Sequence, residues 1–351
     1  VAGNDEGKNQ ESRRDGRTPR IDLDLDHNHD NNHERRKTKY VSQRKDGIME
    51  QRALGRTGDE VTMLAFGAAQ LGQLMEDHQA AAALVDQLID AGIRFIDTAA
   101  CYANSEEKLG PVMARRRGEC FLASKCGHQV DPGDPPEWSP EIIRHSCERS
   151  LRRLQTDHLD LLLLHTCSEE KLRDEAMIGA LEQCKRDGLT RFIGYSGDNQ
   201  SALTAIKSGR FDCLEVTINF CDQSVLDEVL PAARAAGMGV LAKRTIANAC
   251  WRELSRLPAN HQAYIRPYVD RLGNLGFTPQ SLGYDGDWAE LALRFTAFQP
   301  GVSTAIIGGT HFGHIQENIR AAAMGPLPAD VQARLREAWQ ASADASWIGL
   351  S

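Results

Sequence analysis

From residue 63 onward the chain alternates short, nearly continuous apolar runs with longer amphipathic segments, and it does so eight times. Few architectures accept that rhythm. The runs fall at 63–66, 94–97, 120–125, 159–165, 191–196, 213–219, 239–243 and 304–307, each apolar on both faces, as a parallel strand covered by helices must be. Helical periodicity fills the gaps at 77–91, 105–116, 140–154, 169–187, 200–208, 224–236, 287–298 and 313–323. Ser139-Pro140-Glu141 offers an N-cap followed by proline at the first helical position, and Ala91-Gly92 and Asp187-Gly188 read as helix stops. Eight strand–helix units predict an α/β fold, a (β/α)8 TIM barrel, preceded by a short hairpin around Gly55-Arg56-Thr57-Gly58. A doubly wound sheet would share the alternation, but no strand here is followed by a G-x-G-x-x-G phosphate turn.

Residues 1–48 break the pattern: 11 basic and 10 acidic residues stand against eight hydrophobic ones. Such a segment cannot offset its ordering entropy, so a disordered polar tail is expected there and a single barrel domain over 49–351. Its His27, His29 and His33, beside Asp26 and Asp30, lack the supporting shell of a metal site, and no metal is expected. Ser12-Arg13-Arg14-Asp15 is followed by alternating Ile, Leu and Asp rather than an apolar core, which argues against an export leader. Forty-one basic against 49 acidic residues give a net charge of -8, disfavouring nucleic acid and anionic lipid as partners. No uncharged apolar stretch has the length of a membrane span. Nine scattered cysteines, never in C-x-x-C, suggest reduced thiols of a cytoplasmic protein rather than a disulfide framework or zinc site. Small-molecule chemistry remains.

In a barrel of this kind the active site lies where the strands end. The second run ends in Phe95-Ile96-Asp97-Thr98-Ala99, with Tyr102 five residues after the aspartate; the third ends in Ser124-Lys125 and the fourth in Leu164-His165. Three consecutive strands thus bring Asp97, Tyr102, Lys125 and His165 to one rim. A phenol beside an ammonium can give up a proton to a carbonyl oxygen, a carboxylate can hold the ammonium charged, and an imidazole can orient the carbonyl. The matching hydride must come from a cofactor. Taken singly, each residue has a plainer explanation: a cap, a solvated lysine, a packed histidine or tyrosine.

The stretch from Glu50 to Gly58, then Ala65-Phe66-Gly67, Phe95 to Ala99, Tyr102 with Asn104-Ser105-Glu106, Lys125, Asp160-Leu161 through His165, Ile193 to Ser196, Ile306-Ile307-Gly308 and Glu317-Asn318 closely resemble the aldo-keto reductases. The resemblance implies a barrel that binds NADP(H), with NAD(H) as the alternative, and reduces a small-molecule carbonyl substrate. By that resemblance Tyr102 is the acid, Asp97 and Lys125 modulate it, and His165 orients the substrate. It also assigns Gly67, Ser196, Glu215, Lys243, Arg244, Gly308, His314, Glu317 and Asn318 to the cofactor. Four positions depart from the family pattern: Gly197 stands for an Asn, Glu215 for a Gln, Lys243 for a ring-stacking aromatic and His314 for an Arg. Those departures keep a rival in view, a cofactor-binding sensor or scaffold with little turnover. The segment 245–284, with Trp251, Tyr264 and Tyr268, reads either as a lid or as a packing insertion, and 127–138 as a second wall of the substrate site.

Overall fold

Apolar runs that need cover on both faces are satisfied when the sheet closes on itself, and this one does. The computed structural model describes residues 49–256 and 259–350, so the expected polar tail at 1–48 lies outside the described residues. A hairpin of β1 (Gln51–Ala53) and β2 (Glu60–Thr62) is followed by the barrel strands: β3 (Leu64–Gly67), β4 (Phe95–Asp97), β5 (Phe121–Cys126), β6 (Leu159–His165), β7 (Thr190–Ser196), β8 (Cys213–Thr217), β9 (Gly239–Lys243) and β10 (Thr304–Gly308). They run parallel in the closed order β10-β3-β4-β5-β6-β7-β8-β9, so the (β/α)8 barrel is borne out. The hairpin lies across the N-terminal ends of the strands: Leu54 is fully buried against the start of β9, and the Arg56 amide donates to Gly237 O at 2.7 Å.

The helices, in chain order, are α1 (Ala69–Leu74), α2 (His78–Asp90), α3 (Ser105–Arg116), α4 (Pro140–Leu154), α5 (Glu169–Leu172), α6 (Glu175–Arg186), α7 (Asn199–Ser208), α8 (Val229–Ala235), α9 (Ala259–Leu275), α10 (Trp288–Ala297), α11 (Phe312–Ala323) and α12 (Ala329–Ser342). Ser139 caps α4 as its sequence suggested, accepting from the Ile142 amide. Two expected helices are corrected. The 169–187 helix is two, because Asp174 accepts from the Ala176 and Met177 amides and restarts the helix one residue after α5 has been closed by Arg173. The 224–236 helix opens with a 3-10 turn at Ser224–Leu226 before α8 begins.

Beyond the main core, α9, α10 and α12 enclose a second apolar cluster in which Tyr268 and Trp339 are buried and Trp251 stacks on Trp288 at 5.8 Å. Much of the 245–284 segment is therefore a packing insertion with its own core. Among the described residues no helix is long and apolar enough to cross a membrane.

Candidate active site

Strand register sets the rim. Gly67 pairs with both Asp97 and Gly308, Asp97 with Ala123, Lys125 with Leu163, His165 with Ser196, Ser196 with Glu215, and Thr217 with Lys243. Polar residues that interrupt apolar runs in sequence are thereby gathered at one end of the barrel.

Lys125 is the centre of the group. Its Nζ donates to Asp97 Oδ1 at 2.6 Å and to Thr98 O at 3.1 Å, and it lies 3.4 Å from Glu215 Oε2. All three side chains are shut off from solvent. Burial alone would strip the lysine of its proton; Asp97, Glu215 and Tyr102 outweigh it and hold the ammonium well above the ordinary lysine range. Burial and the neighbouring Glu215 carboxylate push Asp97 up to about 7 against the pull of Lys125. The Tyr102 ring stands over the ammonium, 5.1 Å from Nζ to its centroid, and meets the His165 ring edge-on at 5.7 Å. Burial raises the Tyr102 phenol above its ordinary range while Lys125 pulls it down.

His165 is held neutral, well below the ordinary histidine range, by burial and by the positive charges of Lys125 and Lys243, with His128 adding to them. Its Nδ1 lies 3.3 Å from Cys101 Sγ. His128 packs against it, 5.2 Å between rings, and against Trp138 at 4.7 Å. The 127–138 segment therefore does reach the site. Neither Cys101 nor His128 was singled out by the sequence reading. The signal was present for both, since Cys101 directly precedes Tyr102 and His128 lies three residues after Lys125.

On the facing strands, Ser196 Oγ donates to Glu215 Oε1 at 3.0 Å, and Glu215 Oε2 has no hydrogen-bond donor. Lys243 turns inward, its Nζ 3.4 Å from Asp198 Oδ2 and 3.5 Å from Ser196 Oγ. Asp198, another residue the sequence reading passed over, is fixed by the Thr217 amide at 2.7 Å and the Thr217 hydroxyl at 3.0 Å. Arg244 instead lies over the Tyr264 ring, 4.9 Å from its centroid. Arg244, Ala247, Asn248 and Ala249 have positive φ of 56°, 46°, 52° and 54°, so the chain after β9 is tightly coiled, and Asn248 Nδ2 is buried there without an acceptor. At the other side of β10, α11 carries His314 and Glu317 exposed and Asn318 buried. Gly67 has no room for a side chain, since a Cβ would come within 2.7 Å of Ile306 Cγ2.

The family model described as Aldo/keto reductase family matches residues 63–340. Similar relatives include L-galactose dehydrogenase of Arabidopsis thaliana, 29% identical over 293 residues, covering 78% of this chain and 88% of that one. D-threo-aldose 1-dehydrogenase of a Pseudomonas species is 27% identical over 322 residues, covering 82% and 96%. Among solved structures, an aldo-keto reductase from Bacillus halodurans in its holo form matches with a TM-score of 0.69 at 25% identity, covering 83% of this chain and 96% of that one.

Proposed function

The chain belongs to the aldo/keto reductase family, and from that premise we propose that it reduces an aldehyde or ketone to an alcohol with NADP(H), Tyr102 supplying the proton. Members act on small carbonyl compounds and use a nicotinamide cofactor, and the oxidoreductase relatives place this chain among enzymes. The observation that carries the assignment is the buried Lys125–Asp97 pair at 2.6 Å beneath the Tyr102 ring, with a neutral His165 at its edge. The ammonium favours loss of the phenolic proton to a developing alkoxide, and Asp97 keeps the ammonium charged in a site where burial opposes it. A neutral imidazole can donate one hydrogen bond to the carbonyl oxygen without competing for the phenol's proton.

The rim fits a dinucleotide. The nicotinamide supplies the hydride when bound. Ser196 and Glu215 suit its carboxamide, a hydroxyl able to donate to the amide oxygen and a carboxylate able to accept from the amide NH2. The coiled segment at 244–249, with Arg244 at its start, suits the pyrophosphate. Lys243, turned to Asp198, is a weaker phosphate ligand than its charge suggested. His314, Glu317 and Asn318 on α11 remain for the adenosine end, next to Gly67 and Gly308 at the start of that edge.

The purified protein, given NADPH and a panel of small aldehydes, ketones and hydroxy-aldehydes, should turn over. Tyr102→Phe should lower carbonyl reduction by at least ~10²-fold, as for loss of a positioned acid, while NADPH binding is retained. Wild-type turnover in Tyr102→Phe, or none in the native chain on any substrate, would sink the proposal and favour the sensor reading. For the cofactor, an imidazole lacks the forked set of donors with which a guanidinium pairs with the 2'-phosphate. NADPH should be preferred over NADH by a modest margin, and His314→Arg should enlarge it. A large preference untouched by His314→Arg would place phosphate recognition elsewhere.

A further inference from the structure

Lys125 has one more negative neighbour than the proposed proton-donor mechanism requires. We infer that Glu215 is a second counter-charge of Lys125 and that, with Asp97, it forms a carboxylate pair that sets how readily Tyr102 releases its proton. The inference rests on the assignment of Tyr102 as acid and deepens it.

The geometry is specific. Asp97 on β4 and Glu215 on β8 reach the ammonium of β5 from different strands, at 2.6 and 3.4 Å, and both side chains are buried. The other oxygen of Glu215 is tied to Ser196 on β7, so the side chain is held in place rather than swinging. The remaining charged groups around it are already matched: Lys243 on β9 faces Asp198, and His165 on β6 is neutral. Two carboxylates and one ammonium carry one negative charge in excess. In a buried space like charges resist sharing it, and such pairs retain a proton that either partner alone would lose. The upward push on Asp97, partly from Glu215, is consistent with this.

A glutamine would keep the shape and the contact with Ser196 but leave Asp97 as the one carboxylate on the lysine. Each negative charge near the ammonium weakens its pull on the phenol; removing one strengthens that pull. In Glu215→Gln the Tyr102 proton should therefore come off at lower pH. The alkaline limb of kcat/KM for reduction should move down by about one pH unit, a modest figure for one charge within a few ångströms at an effective dielectric constant of ~20.

The test uses two readouts. One is the pH profile of kcat/KM in wild type, Glu215→Gln and Glu215→Asp, the last expected to return toward wild type. The other needs no cofactor: tyrosinate absorbance during alkaline titration, with Tyr102→Phe in each background identifying the step that belongs to Tyr102. Coincident profiles and an unmoved Tyr102 step would overturn the inference. If Glu215→Gln does not fold, Asp97→Asn decides, because Glu215 should keep Lys125 charged and preserve at least roughly a tenth of wild-type kcat; a loss as deep as that of Lys125→Met would show that Asp97 is the sole effective counter-charge. Tyr102→Phe separates the two levels. Retained turnover in that variant removes the acid assignment and this inference together, whereas turnover that depends on Tyr102 with profiles indifferent to Glu215 removes the inference alone.

Discussion

His165 and Asp97 sit in one cluster yet pull stability in opposite directions with pH. The folded state keeps His165 neutral below the ordinary histidine range, while an unfolded chain protonates it below about pH 6.5. The unfolded state then binds more protons, and stability falls as pH drops through that value. Asp97 is raised to about 7, so the folded chain holds a proton that the unfolded chain has lost; its contribution is present in acid and fades as pH rises toward 7. His165→Asn should remove the first effect and leave the second. Urea unfolding from about pH 7 down to about pH 5 should show the variant losing less stability than wild type, by up to about 1.4 kcal/mol per pH unit, reduced by solvent screening because His165 is only partly buried at the rim. Parallel curves would mean that the imidazole is charged in the folded state. The departure at Gly197 also resolves at this scale. A Cβ there would come 2.2 Å from the Tyr195 hydroxyl, which donates to Cys167 O at 2.8 Å, so an asparagine is excluded by the neighbour this chain has chosen. Sequence alone exposed the departure; the hydroxyl that causes it was visible only in three dimensions.

Elements with strong apolar periodicity were legible, and those positioned by contacts were not. Strands β6 and β9 and helices α3 and α4 fall on their expected residues because burial on one or both faces dictates their composition. The short α1, with just Leu71 buried and no side-chain cap, gave no such signal, nor did α9, which carries a proline and belongs to the second core. Yet α1 shapes the site. A Cβ on its Gly72 would lie 2.0 Å from Tyr102 O and 3.0 Å from Ser105 N, so α1 and the loop bearing the proposed acid touch backbone to backbone. Gly72→Ala must push that loop away. Displacing a reacting group by about 1 Å typically costs up to ~10²-fold, so kcat should fall at least ~10-fold while the protein stays folded. NADPH affinity should be little changed, since the proposed cofactor residues other than Gly67 lie on β7 to β10, in the loop after β9 and on α11. A variant with unaltered kcat would show that the loop is set by its own hydrogen bonds, chiefly that between the Ser105 and Thr98 hydroxyls at 2.9 Å.

At the scale of the molecule, the two ends of the barrel divide the work, and the motif running from Asp160 to His165 spans both. Its far end, His165, belongs to the reactive rim. Asp160, five residues earlier on the same strand, is buried at the opposite end, where it accepts from the Leu122 amide at 2.7 Å and pairs with Arg117 at 2.8 Å and Arg191 at 2.9 Å. Arg191 also reaches Asp59 of the hairpin at 2.7 Å, so one carboxylate ties β5, β6, β7 and the segment covering the barrel's base. From sequence, Asp160 read as part of a family motif and as an interruption of an apolar run; that it serves the base rather than the chemistry follows from strand direction once the barrel is closed. Asp160→Asn keeps the shape and one acceptor but leaves two partly buried guanidiniums without their shared charge. Breaking a buried pair from one side costs about 3–5 kcal/mol, and the solvent that reaches these arginines should hold the loss near about 2–3 kcal/mol. Urea unfolding should therefore show a lower midpoint at unchanged slope, the mark of lost stability without a changed unfolded state. Below that transition, kcat and KM should match wild type, because nothing at the rim has moved. A variant that keeps its stability, or one that loses kcat while fully folded, would refute the division of labour between the two ends of the strand.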